Sequence, residues 1–180
     1  MELPKRKPIR LRGYDYAQCG AYFITICVRN RHEMLWNKDT ETRTRHQEEC
    51  ADNLHEMYSL SEYGLIVEQA IKNIPDIYHE VNVIKYVIMP NHVHLLIETV
   101  PGTNHEENGR LLIAPTVSTV VKQFKRSVSK QIGFSFWQKS FHDHIIRNQQ
   151  DYQMICRYID ENPNKWREDC YYPVKECIRE

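Results

Sequence analysis

Val81-Asn-Val-Ile-Lys-Tyr-Val-Ile-Met-Pro-Asn-His-Val-His-Leu-Leu-Ile-Glu-Thr99 is the stretch whose reading decides the fold. Val81 to Met89 is rich in β-branched and aromatic residues and reads as a strand. Pro90-Asn91 makes a tight turn into a second strand, His92 to Thr99, so the whole is a β-hairpin. Side chains alternate faces along a strand, which puts His92 and His94 on one side and Val93 on the other. Two imidazoles side by side on a rigid strand are half of a metal site. A divalent ion needs at least a third protein group, with water or substrate oxygens filling the rest of its shell. The competing interpretation is a pair of hydrogen-bonded histidines beside a turn.

Working outward, Ala21-Tyr-Phe-Ile-Thr-Ile-Cys-Val28 reads as a buried strand. The polar stretch from Asn37 to Asp52 has no periodicity and reads as a loop insertion spanning about residues 37–55. Ser61 to Asn73 reads as a helix, with Leu65, Ile66, Ala70 and Ile71 at helical spacing and Pro75 marking its end. Pro101 to Pro115 reads as a linker. Thr116 to Lys130 is an amphipathic helix with Val117, Val120, Val121, Phe124 and Val128 on one face. Phe141 to Ile146 is a strand. Asp151 to Asn162 is a helix that stops before Pro163, because proline disfavours helical geometry in its predecessor. The order β, α, β, β, α, β, α predicts an α+β fold: a mixed or antiparallel sheet with helices packed on it.

The chain's 180 residues suit one domain able to bury a core. With 41% apolar and 27% charged residues it is globular rather than disordered. No run approaches the roughly 20 apolar residues of a membrane helix, and the expected location is the cytoplasm. Cys19, Cys27, Cys50, Cys156, Cys170 and Cys177 include no Cys-x-x-Cys pair and read as free thiols. The net charge is zero, so the overall balance does not signal nucleic acid. Basic residues nevertheless cluster in an arm over residues 1–20, containing Arg10 and Arg12, and along the second long helix at Lys122, Lys125, Arg126 and Lys130. Such a run most often marks a solvated helix face; its functional reading is contact with a phosphate backbone. Tyr14, Tyr16, Trp36 and Trp137 are candidates for base stacking where exposed.

The last helix carries the remaining chemistry. Tyr158 and Asn162 are four apart and share a face, while Ile155 and Ile159 on a neighbouring face bury against the sheet. A tyrosine oxygen is a nucleophile once deprotonated. Its ordinary pKa of about 10 means that it needs help at neutral pH, and a nearby divalent cation can give that help. The Asn162 amide oxygen could complete the ligand set. The plainer alternative is a packed aromatic and a helix C-terminal residue. His142 and His144 share a strand face, with a structural role expected, or for His144 the holding of a metal ligand in orientation.

Together, Met89-Pro-Asn-His-Val-His-Leu95, Trp137-Gln-Lys-Ser-Phe-His-Asp-His-Ile-Ile-Arg147 and Tyr158-Ile-Asp-Glu-Asn-Pro163 resemble the HUH tyrosine transposases of bacterial single-strand insertion sequences, above all their REP-associated branch. Arg12-Gly-Tyr-Asp-Tyr16 and Gly20-Ala-Tyr-Phe-Ile-Thr25 are similar to that branch too. The resemblance runs from about residue 10 to about residue 168. It implies a ferredoxin-like palm, with His92 and His94 as the paired histidines, Tyr158 as the catalytic tyrosine and Asn162 as a further metal ligand. It also implies Mg²⁺ or Mn²⁺ as cofactor and single-stranded DNA beside a hairpin as substrate. By this resemblance Tyr158 attacks a scissile phosphate, releases a 3′-hydroxyl and keeps a 5′-phosphotyrosine link that a returning hydroxyl reverses. Histidine ligation favours Mn²⁺ over Mg²⁺. A monomer is favoured over a homodimer, and no membrane partner is expected. The alternatives are a hairpin-binding module that no longer cuts and a metal-dependent hydrolase in which water attacks.

Overall fold

The computed structural model describes residues 18–37, 59–101 and 115–173. The expected N-terminal arm with Arg10, Arg12, Tyr14 and Tyr16, nearly all of the 37–55 insertion and most of the 101–115 linker lie outside these residues.

Four strands form one sheet: β1 (Gly20–Cys27), β2 (Val81–Met89), β3 (His92–Thr99) and β4 (His142–Ile146). Their order across the sheet is β2-β3-β1-β4, and every neighbouring pair is antiparallel. With helices α1 (Glu62–Lys72), α2 (Ile74–Ile77), α3 (Val117–Ile132) and α4 (Gln149–Glu161), this is a β-α-β-β-α-β ferredoxin-like unit extended by one helix. The α+β expectation holds, and the sheet is antiparallel throughout the described strands.

Alternation along the strands divides the molecule into layers. Tyr22, Ile24, Ile26, Val93, Leu95 and Ile97 face α1 and α3 and make the main core. The opposite face of the sheet carries Leu96, on which Ile155 and Ile159 of α4 pack with Phe23 and Val87. His92 and His94 lie on this second face, 0% and 1% exposed, and Val93 is buried in the main core.

Capping sets the helix starts. Ser61 accepts from the Gly64 amide at 3.1 Å, Thr116 from Thr119 at 3.3 Å and Asn148 from Asp151 at 2.9 Å. On α1 the buried residues are Gly64, Val67, Ala70 and Ile71, whereas Leu65 is 56% exposed. The apolar spacing included Leu65, but the helix turns Val67 inward instead. Pro75 does not end helicity: after the Asn73 cap it starts the extra turn α2, at whose first positions proline is tolerated. Asn162 likewise keeps helical angles (φ −56°, ψ −44°) before Pro163, and its amide donates to the Tyr158 carbonyl at 3.0 Å. The chain then runs straight into a 3₁₀ turn, Pro163–Glu168, so the preference against helical geometry before proline is overridden here. Among the described residues no helix is long and apolar enough to cross a membrane, and Cys19, Cys27, Cys156 and Cys170 are free thiols.

Candidate active site

The hairpin register delivers the two histidines. His94 pairs with Thr25 on β1 and Val87 on β2, and His92 with Cys27 and Met89, so both imidazoles sit on β3, an inner strand of the sheet. Their Nε2 atoms face each other at 2.9 Å. Asn91 donates its amide hydrogens to the carbonyls of Tyr171 (2.8 Å) and Arg31 (3.3 Å), which leaves its Oδ1 as an acceptor. His92 Nδ1 lies 2.8 Å from that oxygen and therefore carries the proton, so His92 Nε2 is a bare lone pair. His94 Nδ1 lies 2.8 Å from the Thr25 hydroxyl, which can donate or accept. Without an ion, the short contact between the rings requires Nε2–H on His94, with Thr25 donating to Nδ1. The other His94 tautomer, with its proton moved from Nε2 to Nδ1 and the Thr25 hydroxyl rotated to accept from it, frees both Nε2 atoms for an ion.

Burial keeps both rings neutral. It drives His92 down to about 2, with the neighbouring His94 and Arg31 adding to the effect, and it drives His94 down to about 3. Neutral imidazole is the form that binds a metal.

Helix α4 crosses this face of the sheet. Besides the Ile155 and Ile159 contacts, Asp151 near its start meets His144 of β4 at 2.8 Å, and Asp160 near its end meets Lys85 of β2 at 2.7 Å. Tyr158 is thereby placed with its hydroxyl 3.3 Å from His94 Nε2 and its ring edge-on to Phe23. The residue as a whole is 41% exposed, so the tyrosine borders solvent. Burial and the charge of Asp169 push the hydroxyl up to about 12, against a hydrogen bond from Asn162 that lowers it. Tyr158 is therefore protonated at neutral pH and needs activation.

Asn162 is 3% exposed, and its Oδ1 has no hydrogen-bond partner among the described residues. A buried amide oxygen left bare costs about 1–3 kcal/mol, and a cation would satisfy it. The chemistry of these donors, two neutral imidazole nitrogens that face each other and a bare amide oxygen beside Tyr158, suits a divalent ion.

His92, His94, Tyr158 and Asn162 thus converge. The other expected residues do not join them. His144 shares the face of the sheet but bonds Asp151, so it tethers α4 rather than orienting a metal ligand. The helix with Lys122, Lys125, Arg126 and Lys130 packs on the opposite face. Lys122 and Arg126 are exposed and line a groove of about 350 Å³ between α3 and the 135–141 segment, and Lys130 is exposed near the helix end. Lys125 is half-buried: it donates to the carbonyls of Lys139 (3.0 Å) and Ser140 (3.4 Å), and more closely to that of Gln138. It holds the segment leading into β4 and is not a free phosphate contact. Trp137 is buried, and Trp36 is partly buried and donates to the Ile88 carbonyl at 2.7 Å, so neither offers a stacking face.

Sequence reasoning missed Asp169 and Tyr171. The Asp169 side chain is 4% exposed, with Oδ2 4.0 Å from His92 Nε2. One atom each of His92, His94 and Asp169 lies within 4.8 Å of the other two. Tyr171 packs on His92 with ring centroids 4.6 Å apart, under the Arg31 guanidinium at 4.8 Å. No local spacing signals either residue, because the 3₁₀ turn brings them back to the site.

Known proteins resemble this chain along most of its length. The profile of the family described as IS200-like transposase matches residues 17–162. An uncharacterized protein of Haemophilus influenzae is 31% identical over 93% of each chain. The REP-associated tyrosine transposase of Escherichia coli is 26% identical over 83% of this chain and 70% of its own. A solved structure of a REP-associated tyrosine transposase bound to a REP hairpin shares the fold at 20% identity, with a TM-score of 0.53 over 92% of this chain and 74% of its own. With a tyrosine set over paired histidines and a family match across most of its length, this chain belongs to the IS200-like transposases and is a tyrosine transposase.

Proposed function

We propose that the protein nicks and rejoins single-stranded DNA at hairpin-flanked sites through a covalent 5′-phosphotyrosine. The observation that carries this is Tyr158, whose hydroxyl lies 3.3 Å from His94 Nε2 while the residue stays 41% exposed. A tyrosine packed only for stability has no need to meet a buried histidine pair and solvent together.

His92 and His94 would hold a divalent cation through Nε2, and Asn162 through its bare Oδ1. Mn²⁺ suits these donors better than Mg²⁺. Such an ion, when bound, polarises the scissile phosphate and offsets charge that develops on it. Tyr158 gives up its phenolic proton to solvent water and its oxygen bonds to phosphorus. The bond from phosphorus to the 3′ oxygen breaks, and that oxygen takes up a proton to leave as a 3′-hydroxyl. The 5′-phosphate stays on Tyr158, conserving the phosphodiester energy, so a later 3′-hydroxyl can reverse the step without ATP. Asn162 touches the tyrosine oxygen through its side-chain amide, and with its bare Oδ1 on the ion it would keep nucleophile and phosphate in register.

A hairpin substrate is supported by the structurally similar transposase, which was solved with one. Lys122, Arg126 and Lys130 are the described candidates for backbone contact, with Arg10 and Arg12 of the N-terminal arm beside them. A monomer is supported by α4, which closes over the histidines of its own chain.

The test is a labelled single-stranded hairpin incubated with protein and Mn²⁺ and resolved under denaturing conditions. A protein–DNA adduct lost in Tyr158→Phe supports the reading. Binding with no adduct in the wild type would leave a hairpin-binding module. Cleavage that survives Tyr158→Phe would leave a hydrolase that uses water.

A further inference from the structure

We propose that Asp169 is itself a ligand of the divalent cation, making the site a two-histidine, one-carboxylate centre with Asn162 as an additional donor. This rests on the metal reading of His92 and His94 given above and adds a residue eleven positions beyond Tyr158.

The carboxylate is built into the site. Its Oδ1 accepts the Tyr171 amide at 2.6 Å, and the Asp169 amide donates to the Trp166 carbonyl at 3.2 Å. Trp166, 6% exposed, buries the 3₁₀ turn against the hairpin, with its ring 6.0 Å from His92. With one oxygen anchored, Oδ2 is left toward His92, at 4.0 Å. Donors sharing one ion at about 2.1 Å sit about 3 Å apart when cis and about 4.2 Å apart when trans. The 2.9 Å between the Nε2 atoms is close to the lower figure, and the 4.0 Å from His92 to Asp169 lies just under the upper one.

Charge points the same way. A carboxylate 4% exposed needs a positive partner. Among the described residues its ion-pair contact is the His92 imidazole, whose side chain is 0% exposed. A divalent cation at the Nε2 pair would supply the missing charge, and two histidines with one carboxylate form a donor set that retains open positions for substrate. The same carboxylate faces the Tyr158 hydroxyl, so one group touches both the ion site and the nucleophile.

The test is Mn²⁺ binding by calorimetry on the metal-stripped full chain, with activity left aside. Asp169→Asn keeps the acceptor for the Tyr171 amide and removes the charge, and is expected to weaken Mn²⁺ at least tenfold. An affinity within tenfold of wild type overturns the proposal. If that variant does not fold, the wild type loaded with Mn²⁺ and labelled with ¹³C at aspartate carboxyls decides. A resolved manganese–carbon coupling supports ligation, and its absence overturns it. Retained affinity in Asp169→Asn with loss in His92→Ala overturns this proposal alone. No Mn²⁺ uptake by the wild type overturns both this proposal and the metal reading beneath it.

Discussion

Thr25 and His94 meet across two inner strands, the hydroxyl 2.8 Å from Nδ1 of the imidazole, and this bond decides which nitrogen of His94 is free. Both groups are buried. A hydroxyl is the one neutral group that can serve either tautomer by rotation alone, so the histidine can be satisfied with or without an ion. Thr25→Val, nearly the same shape, should lower folding stability by about 1–3 kcal/mol by leaving a buried nitrogen unpaired. It should also weaken Mn²⁺ by about tenfold or more. Urea denaturation and a metal titration check both effects, and an unchanged Mn²⁺ affinity would contradict the role given to Thr25.

Acid should destabilise the metal-free protein well before carboxylates titrate. Burial holds His92 at about 2 and His94 at about 3 in the folded chain, whereas unfolded histidine titrates near its ordinary value of about 6.5. Between these values the unfolded chain binds protons that the folded chain refuses, so stability falls as pH falls below about 6.5. The slope approaches about 1.4 kcal/mol per pH unit for each histidine. Urea unfolding of metal-stripped protein at pH 7.5, 6 and 5 should show this fall. A flat profile over that range would show that the histidines are not held neutral.

The basic residues of α3 should separate into two kinds. Lys122→Ala and Arg126→Ala, at exposed positions lining the groove, should leave stability within about 0.5 kcal/mol. Each should reduce the salt dependence of single-stranded DNA binding by roughly one contact. Lys125→Met should instead cost about 1–3 kcal/mol, because the carbonyls of Gln138, Lys139 and Ser140 lose their donor. Thermal melts beside binding titrations at two salt concentrations distinguish them. A Lys125 variant of full stability and reduced salt slope would reassign it to DNA.

Local periodicity carried the site as far as local periodicity reaches. Alternation put His92 and His94 on one face, and a spacing of four put Tyr158 beside Asn162; both relations belong to a single element. Asp169 was not legible, because its place depends on Asn162 staying helical before Pro163 and on Trp166 burying the turn that follows. Thr25 was hidden for a related reason: only the β1–β3 register sets it opposite His94. Leu65 and Lys125 mark another limit. Both sit near the boundary of an amphipathic face, where packing rather than pattern decides which way a side chain turns.

The central claim is that Tyr158 becomes covalently joined to DNA, and mapping the adduct tests it most directly. The protein is incubated with a single-stranded hairpin and Mn²⁺, digested with protease and nuclease, and the modified peptide sequenced by mass spectrometry. The expected result is a nucleotide joined through its 5′-phosphate to Tyr158, with a free 3′-hydroxyl on the other product. A nucleotide on Tyr171, which also lies against His92, or cleavage leaving a free 5′-phosphate and no modified peptide, would contradict the account.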